Sequence, residues 1–278
     1  MSEDSERPSV AHDFFRVAER RFAGATTLIL SGAALALMVS CSDDSPAAAN
    51  VQILRGADVA FGNGSARTEV QVQGSNVVAV AVVLSERALD GLPTQLPPMT
   101  SQEYIVPLPA GAPAMVFTQV AVNWQPIGHP PMHIYTTPHF DVHFYMITPQ
   151  QRDAMTAADP AFMAKALRQP ASDVLPAGYT LDPMPIPRMG AHAGASAGPE
   201  FQGIPFASTF IYGFYDGGMI FLEPMMTRAF LLSRPDTTIS IVTPARYPKP
   251  GAYPTAYAYK YDAEARERRI ELRGFVQR

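Results

Sequence analysis

The chain has almost no cysteine: Cys41 is the only one in 278 residues. A single thiol cannot form an intrachain disulfide, and it cannot supply the ligand set of a cysteine zinc site or an iron–sulfur cluster. If Cys41 is modified, no thiol nucleophile is left elsewhere in the chain. Disulfide scaffolds, cysteine-rich metal centres and cysteine catalysis are therefore excluded for the rest of the protein.

Positive charge and nucleophile motifs are scarce as well. The formal net charge is −4 at pH 7 and no long basic block occurs, so nucleic acid is not a predicted partner. The stretch Gly194–Gly198 lacks the strand-to-helix context that a serine nucleophile elbow requires, and no phosphate-binding glycine loop occurs. Nucleophilic hydrolysis is therefore not indicated.

The N-terminus, in contrast, carries the features of an export signal. Three arginines at positions 16 to 21 precede an uncharged and mostly apolar run over 22–40, which is the order of regions in a signal peptide. The run ends in small or apolar residues directly before Cys41, a pattern that resembles a lipobox. We predict that residues 1–40 are a lipoprotein signal peptide and that Cys41 is the acylated first residue of the mature protein.

The predicted acyl chain would anchor the protein to a membrane, with residues 41–50 as a flexible tether. Ser42 follows the cysteine, which in a Gram-negative host is typical of sorting to the outer membrane. We therefore predict an exported, lipid-anchored protein of the cell envelope. The alternative is an uncleaved transmembrane anchor over the same apolar run, because about 18 apolar residues can just cross a bilayer.

Residues 51–278 have the composition of a single β-rich domain. The chain has 27 prolines and no sustained run of amphipathic helical spacing. Arg67–Gln73 alternates polar and apolar residues, and Val77–Leu84 is nearly continuous in apolar β-formers. Asp216–Gly218 is typical of a hairpin turn. We predict a mainly β fold, an antiparallel β-sandwich or barrel.

Two short helices are predicted within this β-rich domain. Thr148 precedes a proline, and this is a favourable helix start because Thr caps a helix N-terminus and Pro suits the first helical position. We expect helices over Gln150–Ala158 and Pro160–Arg168. The Pro-, Gly- and Ala-rich segment Gln169–Gly198 is expected to be irregular, and Ala229–Leu232 is expected to be a strand.

Four of the six histidines lie between positions 129 and 143. His129 and His133 lie on a proline-broken loop, and they either belong to a site or flank it. A strand over His139–Tyr145 would place its odd-numbered residues on one face and three apolar residues on the other. The odd-numbered residues are His139, Asp141, His143 and Tyr145. Imidazole and carboxylate suit zinc, manganese, iron or copper, so this row predicts a metal site.

The conformation of this segment limits which residues can share one ion. Positions two apart on a strand are about 6.6 Å from each other and positions four apart about 13 Å, so Asp141 with either histidine is an easier pair than His139 with His143. A helix capped at Thr137 would instead bring the two histidines one turn apart, as in His-x-x-x-His zinc sites. The aromatic and β-branched content favours the strand.

Further ligands must come from elsewhere in the chain, and His192 and Glu223 are the candidates. Glu223 follows an apolar run and would be unfavourable to bury without a partner. The methionines near these residues would suit copper, although Met more often fills a core. They are Met132, Met189, Met225 and Met226. The same histidines and carboxylates could instead form a metal-free hydrogen-bonded network.

Several of these motifs occur together in one known family. The segments are Trp124–His129, Pro138–Tyr145, Met189–His192, Tyr212–Gly217 and Phe221–Met225. Across about 56–275, the chain resembles a family of uncharacterised exported bacterial proteins that share a domain of unknown function, marked by HFDxHFY, MGxH and EPM motifs. The resemblance implies one β-rich domain, self-association, and a His-rich pocket at His139, His143, His192 and Glu223. Ala193 stands where a bulky aromatic residue is typical, which leaves the shape of the pocket wall open.

The leading functional hypothesis is a cell-envelope lipoprotein that binds a divalent transition metal, with zinc favoured over copper, iron and manganese. Its predicted ligands are His139, His143, His192 and Glu223, with Asp141 as a further ligand or as a residue that orients one. One alternative is a metal-dependent enzyme for hydrolysis or oxygen chemistry, with Asp141 or Glu223 as general base. The other is a metal-free module that assembles into a homo-oligomer through its histidines.

Overall fold

The computed structural model describes residues 50–278. The predicted signal peptide, the predicted lipidation site Cys41 and nearly all of the predicted tether lie outside the described residues. Within residues 50–278, none of the helices is long and apolar enough to cross a bilayer.

Strands make up most of the regular structure in the described part of the chain. In chain order they are β1 (Val51–Arg55), β2 (Val59–Phe61), β3 (Gly64–Gln73), β4 (Asn76–Ser85), β5 (Gln102–Val106), β6 (Gln119–Gln125), β7 (His139–Tyr145), β8 (Tyr179–Leu181), β9 (Ala191–Ala195), β10 (Ser208–Tyr215), β11 (Gly218–Thr227), β12 (Thr237–Ser240), β13 (Ala252–Tyr253), β14 (Ala256–Asp262), β15 (Glu267–Arg273) and β16 (Val276–Gln277). The helices are α1 (Pro149–Asp153), α2 (Phe162–Ala166) and α3 (Arg228–Leu232), and 3₁₀ turns occupy Glu86–Leu89 and Pro199–Gln202.

Two seven-stranded sheets account for most of these strands. The first has the order β1–β3–β4–β15–β14–β12, with β2 also paired to β3, and the second has the order β5–β6–β7–β11–β10–β9–β8. The strand pairs within both sheets are antiparallel. The predicted mainly β, antiparallel fold is confirmed. Over the described residues it is sandwich-like, because neither sheet closes into a barrel.

The hydrophobic core lies between the inner faces of the two sheets. The first sheet contributes Val70, Val80, Val82, Ile270 and Leu272, and the second contributes Val122, Val142, Phe144, Tyr212 and Leu222. Because side chains alternate along a strand, the residues between these point away from the core. On the second sheet, this outward face is where the polar residues of interest lie.

The hairpin between β10 and β11 turns at Asp216 and Gly217. Tyr215 pairs with Gly218 across the turn. Asp216 and Gly217 have φ angles of 55° and 76°, the left-handed pair that a two-residue type I′ turn requires and that Asp and Gly tolerate. The predicted hairpin over Asp216–Gly218 is confirmed.

Both predicted short helices are present, and both are shorter than predicted. α1 begins after Thr148, whose hydroxyl oxygen accepts a hydrogen bond from the backbone N–H of Gln151 at 3.2 Å. The Gln151 side chain accepts one in return from the backbone N–H of Thr148 at 2.9 Å. This reciprocal capping box fixes the helix start that the sequence indicated.

Two predictions for the connecting segments were wrong. Ala229–Leu232 belongs to helix α3, because the Thr227 hydroxyl accepts a hydrogen bond from the backbone N–H of Phe230 at 3.0 Å and caps a helical turn. Gln169–Gly198 was predicted to be irregular, yet it contains β8 and β9. The residues of β9 have weak β propensity, and pairing with β10 overrides it.

Candidate metal centre

Strand β7 carries the first three residues of the site. Its core-facing residues are Phe140, Val142 and Phe144. His139, Asp141 and His143 point to the other face, and only 0%, 3% and 1% of their surfaces are exposed. The predicted strand with its two faces is confirmed, and the helical alternative is wrong. Buried ionisable groups require compensating partners, so the surroundings of this row decide its chemistry.

Neighbouring strands bring Glu223 and His192 to the same face. β11 pairs with β7 in a register that places Glu223 opposite His143. β9 pairs with β10, and His192 lies opposite Gly213. Because Gly213 has no side chain, the Phe221 ring can extend over β10: a Cβ at Gly213 would lie 2.1 Å from that ring. The Phe221 ring centroid lies 4.8 Å from that of His143 and 5.4 Å from that of His192. The ring therefore packs against both imidazoles.

His143, His192 and Glu223 form the first of two groups, here called the Glu223 group. Nε2 of each imidazole lies 3.5 Å from the same oxygen, Oε2 of Glu223. Among the described residues, this oxygen and both ring nitrogens of His143 have no hydrogen-bond partner. The side chains of His143 and Glu223 are almost fully buried, and 17% of the His192 side chain is exposed.

These separations fit metal coordination better than hydrogen bonding. Hydrogen bonds between nitrogen and oxygen are most often about 2.9–3.0 Å long. Two ligand atoms about 2.1 Å from a zinc ion, at a tetrahedral angle to each other, lie about 3.4 Å apart. The two 3.5 Å contacts at Oε2 of Glu223 match the second value. The Glu223 group could therefore hold a transition metal.

His129, His139 and Asp141 form the second group, here called the Asp141 group. Nε2 of His139 lies 3.1 Å from Oδ1 of Asp141, and Nε2 of His129 lies 3.6 Å from Oδ2. His129 comes from the loop between β6 and β7, and 27% of its side chain is exposed. Gln125 on β6 donates a hydrogen bond from Nε2 to Oδ2 of Asp141 at 3.1 Å.

Burial sets the protonation states of the Glu223 group. It lowers the pKa of His143 well below its ordinary value and lowers the pKa of His192 to about 4. Burial, together with the negative charge of Asp141, raises the pKa of Glu223 well above its ordinary value. Without a metal, the group therefore favours two neutral imidazoles and a protonated carboxyl. A bound cation would displace the carboxyl proton.

The Asp141 group has the opposite electrostatics. Burial alone would raise the pKa of Asp141, but the interactions with His139 and His129 lower it well below its ordinary value. Burial opposes protonation of His129, but its interaction with Asp141 raises the pKa of His129. Asp141 is therefore an ionised carboxylate. One imidazole lies next to each of its two oxygens.

Five of the six residues of the two groups line one cavity with a volume of about 440 Å³, and the sixth, His139, is fully buried and does not line it. Its other walls are largely apolar and include Met99, Pro131, Met184, Ile186, Met189 and Phe201. The volume falls within the range of about 300–1,000 Å³ that is usual for small-molecule sites. His143, His192 and Glu223 all line this space, so a metal that they held would be reached from it.

The structure divides the predicted ligand set between the two groups. His143, His192 and Glu223 lie together, whereas His139 lies with Asp141 and is joined by His129. The strand geometry accounts for this division, because residues four apart on β7 are too far from each other to share an ion easily. His129, whose role the sequence left open, belongs to the site.

Three other residues singled out in the sequence lie elsewhere. His133 and Met132 are absent from the set of described residues that line the cavity. Ala193 is fully buried in the core between the sheets, so it faces away from the pocket that contains His192. The small side chain at this position therefore does not shape the cavity wall.

A buried charge network beside the Glu223 group was not predicted. Arg152 of α1 is 1% exposed, and its guanidinium carbon lies 4.4 Å from the centroid of the Tyr145 ring. Glu103 on β5 forms ion pairs with Arg152 and, at 2.8 Å, with Arg188. The Tyr145 ring stacks on His143 with centroids 5.4 Å apart. The hydrogen-bond acceptors of Arg152 are Glu103 and the carbonyl oxygen of Arg188, which are 49 and 36 residues away along the chain, so no local sequence signal marks Arg152.

No family model, curated protein or solved structure matches this chain. The resemblance to a family of exported bacterial proteins, drawn from the HFDxHFY, MGxH and EPM motifs, therefore stays a prediction. The geometry of the two groups and of their cavity supports the functional proposal.

Proposed function

We propose that this protein is a cell-envelope lipoprotein whose β-sandwich domain binds a divalent transition metal at His143, His192 and Glu223. One observation carries the metal proposal: two imidazole Nε2 atoms lie 3.5 Å from a single carboxyl oxygen that is buried and has no hydrogen bond among the described residues. Two imidazoles and one carboxylate are a ligand set that proteins use for zinc and for non-haem iron.

Zinc is the metal that we favour, because its usual ligands and geometry match this donor set. Zinc binds imidazole nitrogen at about 2.0–2.1 Å and carboxylate oxygen at about 2.0–2.2 Å, with four ligands in a tetrahedral arrangement. Copper, iron and manganese accept the same donors, and copper binds such sites more tightly than zinc at equal availability. Elemental analysis of the protein as purified, before any reloading, would therefore identify the metal that it carries.

The cavity favours a second candidate function, a metal-dependent enzyme of hydrolysis or oxygen chemistry. Structural zinc sites use four protein ligands, whereas catalytic sites use three and keep one position for water or substrate. The Glu223 group offers three. A bound metal would supply Lewis acidity at that open position. Asp141 lies two residues from His143 on the same strand face, and its lowered pKa suits it to hold a charge beside that position rather than to accept a proton.

Metal content of the full chain tests the binding proposal. The protein would be purified without affinity tag or chelator, reloaded with zinc, dialysed and measured by elemental mass spectrometry. We expect His143→Ala to abolish zinc binding at the Glu223 group, because His192 and Glu223 alone would hold the ion too weakly to survive dialysis. His133→Ala, outside the cavity lining, is the matched control and should bind as the unsubstituted protein does. No zinc at the Glu223 group after reloading would leave a metal-free network and favour the self-assembly alternative.

The lipoprotein proposal rests on the sequence around Cys41 and has its own test. We expect mass spectrometry of the mature protein to find Cys41 as an acylated N-terminal residue. Cys41→Ser should abolish acylation and leave the signal peptide uncleaved. A mature N-terminus at another residue, or an intact unacylated N-terminal segment in the unsubstituted protein, would contradict the proposal.

A further inference from the structure

A second group beside the same cavity has the composition of the first, two imidazoles and one carboxylate. His129 and Asp141 line the cavity, whereas His139 does not. We propose that His129, His139 and Asp141 bind a second divalent transition metal ion, so that the cavity holds a two-metal centre. This inference extends the proposed function, because it adds an ion to the same cavity. It rests on different ligands, however, so the two sites can be tested separately.

The contacts within the Asp141 group match those of a coordination site. Nε2 of His139 lies 3.1 Å from Oδ1 of Asp141, and Nε2 of His129 lies 3.6 Å from Oδ2. The longer separation is close to the value of about 3.4 Å for two ligands of one tetrahedral zinc ion, and the shorter one is also within hydrogen-bond range. Nε2 of His139 and Oδ1 of Asp141 are buried, and neither has a hydrogen-bond partner among the described residues. A cation between them would satisfy both atoms.

The second ring nitrogen of each imidazole in this group is held by a backbone carbonyl oxygen, as is usual for metal-binding histidines. Nδ1 of His139 lies 2.7 Å from the carbonyl oxygen of Thr137, and Nδ1 of His129 lies 2.6 Å from that of Pro130. A carbonyl oxygen only accepts, so each Nδ1 carries the hydrogen and donates it. In the neutral ring, each Nε2 is then left with a lone pair directed toward the carboxylate.

The carboxylate of Asp141 is held in the same way. Gln125 donates a hydrogen bond from Nε2 to Oδ2 at 3.1 Å, which fixes the carboxylate without using Oδ1. Two neutral imidazole lone pairs facing one carboxylate repel it. A cation held among the three side chains would relieve this repulsion.

The test is zinc stoichiometry and affinity of the full chain, by isothermal titration and by equilibrium dialysis with elemental analysis. The unsubstituted protein is expected to bind two zinc ions per chain. Asp141→Asn should reduce this to one. His129→Gln changes a loop residue that is partly exposed, so it should leave the fold intact. It should weaken the binding of one of the two zinc ions by at least about tenfold. His133→Gln is the matched control and should bind two ions.

The outcomes separate this inference from the proposed function. Glu223→Gln should abolish zinc binding at the Glu223 group and leave zinc binding at the Asp141 group, which His129→Gln weakens, unchanged. One ion per chain that is lost in Glu223→Gln and unchanged in His129→Gln would keep the Glu223 site and overturn the second site. One ion that is lost in both variants would show a single shared site and also overturn it. If no zinc binds at all, both proposals fail and the two groups form a metal-free network.

Discussion

Glu223 is the residue on which the electrostatics of the site depend most. Its carboxyl is buried on the outward face of β11 between two imidazoles, and its raised pKa keeps it protonated without a metal. An unfolded chain would release that proton above a pH of about 4.3. In the metal-free protein, the folded state therefore binds one more proton than the unfolded state, and stability falls as the pH rises above this value.

Glu223→Gln should remove this dependence, because glutamine is neutral at every pH. We expect the metal-free variant to gain stability over the unsubstituted protein as the pH rises, by about 1.4 kcal/mol per pH unit until Glu223 ionises in the folded state. Urea unfolding at about pH 5 and about pH 8 measures the difference. His143 and His192 titrate in both proteins, so their contributions cancel. A difference that stays constant over this pH range would show that Glu223 is already ionised.

Zinc binding at the Glu223 group should release about one proton per ion near neutral pH, because the metal requires the carboxylate. Isothermal titration in two buffers of different ionisation enthalpy measures this number. The affinity should also increase with pH over the same range. Glu223→Gln should bind more weakly and release no proton from this side chain. Binding without proton release in the unsubstituted protein would contradict the protonated carboxyl.

At the residue scale, the sequence predicted most residues of the two groups and missed how they are divided. Four of the six residues were predicted as one set, with Asp141 added beside them, because His, Asp and Glu in or next to apolar strands are unusual. His129 was left open, because its position depends on how the loop before β7 folds. Arg152 was missed, since its burial depends on Glu103 and Tyr145 from two other strands.

At the element scale, β10 contributes to the site by having no side chain at position 213. Gly213→Ala should displace the Phe221 ring, because the new Cβ would lie 2.1 Å from it, and Phe221 is fully buried. We expect a loss of about 1–3 kcal/mol of stability and weaker zinc binding, since the ring packs against His143 and His192. Gly194→Ala on β9 is the matched control, because its Cβ would meet no atom closer than 3.8 Å. Equal effects of the two substitutions on zinc affinity would contradict this role of Gly213.

The elements differ in how well the sequence predicts them. β7 was predicted because its polar and apolar residues alternate without interruption. β8 was missed because three residues are too few to show alternation. β9 was missed because Ala and Gly carry little strand signal, and its pairing with β10 is not visible locally. α3 was taken for a strand because five residues are too few to show helical periodicity, and only the Thr227 cap distinguishes it.

For the whole molecule, metal binding should couple to stability. A ligand that binds only the folded state adds about 2.7 kcal/mol when its free concentration is about 100 times Kd. For a domain of this size, that corresponds to a rise in Tm of about 5–10 °C. We expect zinc to raise the Tm of the full chain in calorimetry and to raise that of Glu223→Gln by less. An unchanged Tm of the unsubstituted protein in excess zinc would contradict specific binding to the folded state.

The architecture explains why the site was only partly visible from the sequence. A mainly β sandwich follows from strand patterns and turn residues, and it was predicted. The cavity forms where the loop before β7 and the segment between β8 and β9 cover the outward face of the second sheet, and no local pattern indicates that covering. Lipid anchoring at Cys41 and self-association stay predictions.

The most direct test of the metal centre is anomalous diffraction at the zinc absorption edge from crystals of the zinc-loaded full chain. The account predicts an anomalous peak about 2.0–2.2 Å from Nε2 of His143, Nε2 of His192 and a carboxylate oxygen of Glu223. Zinc bound elsewhere on the chain, with no peak between these three residues, would contradict it.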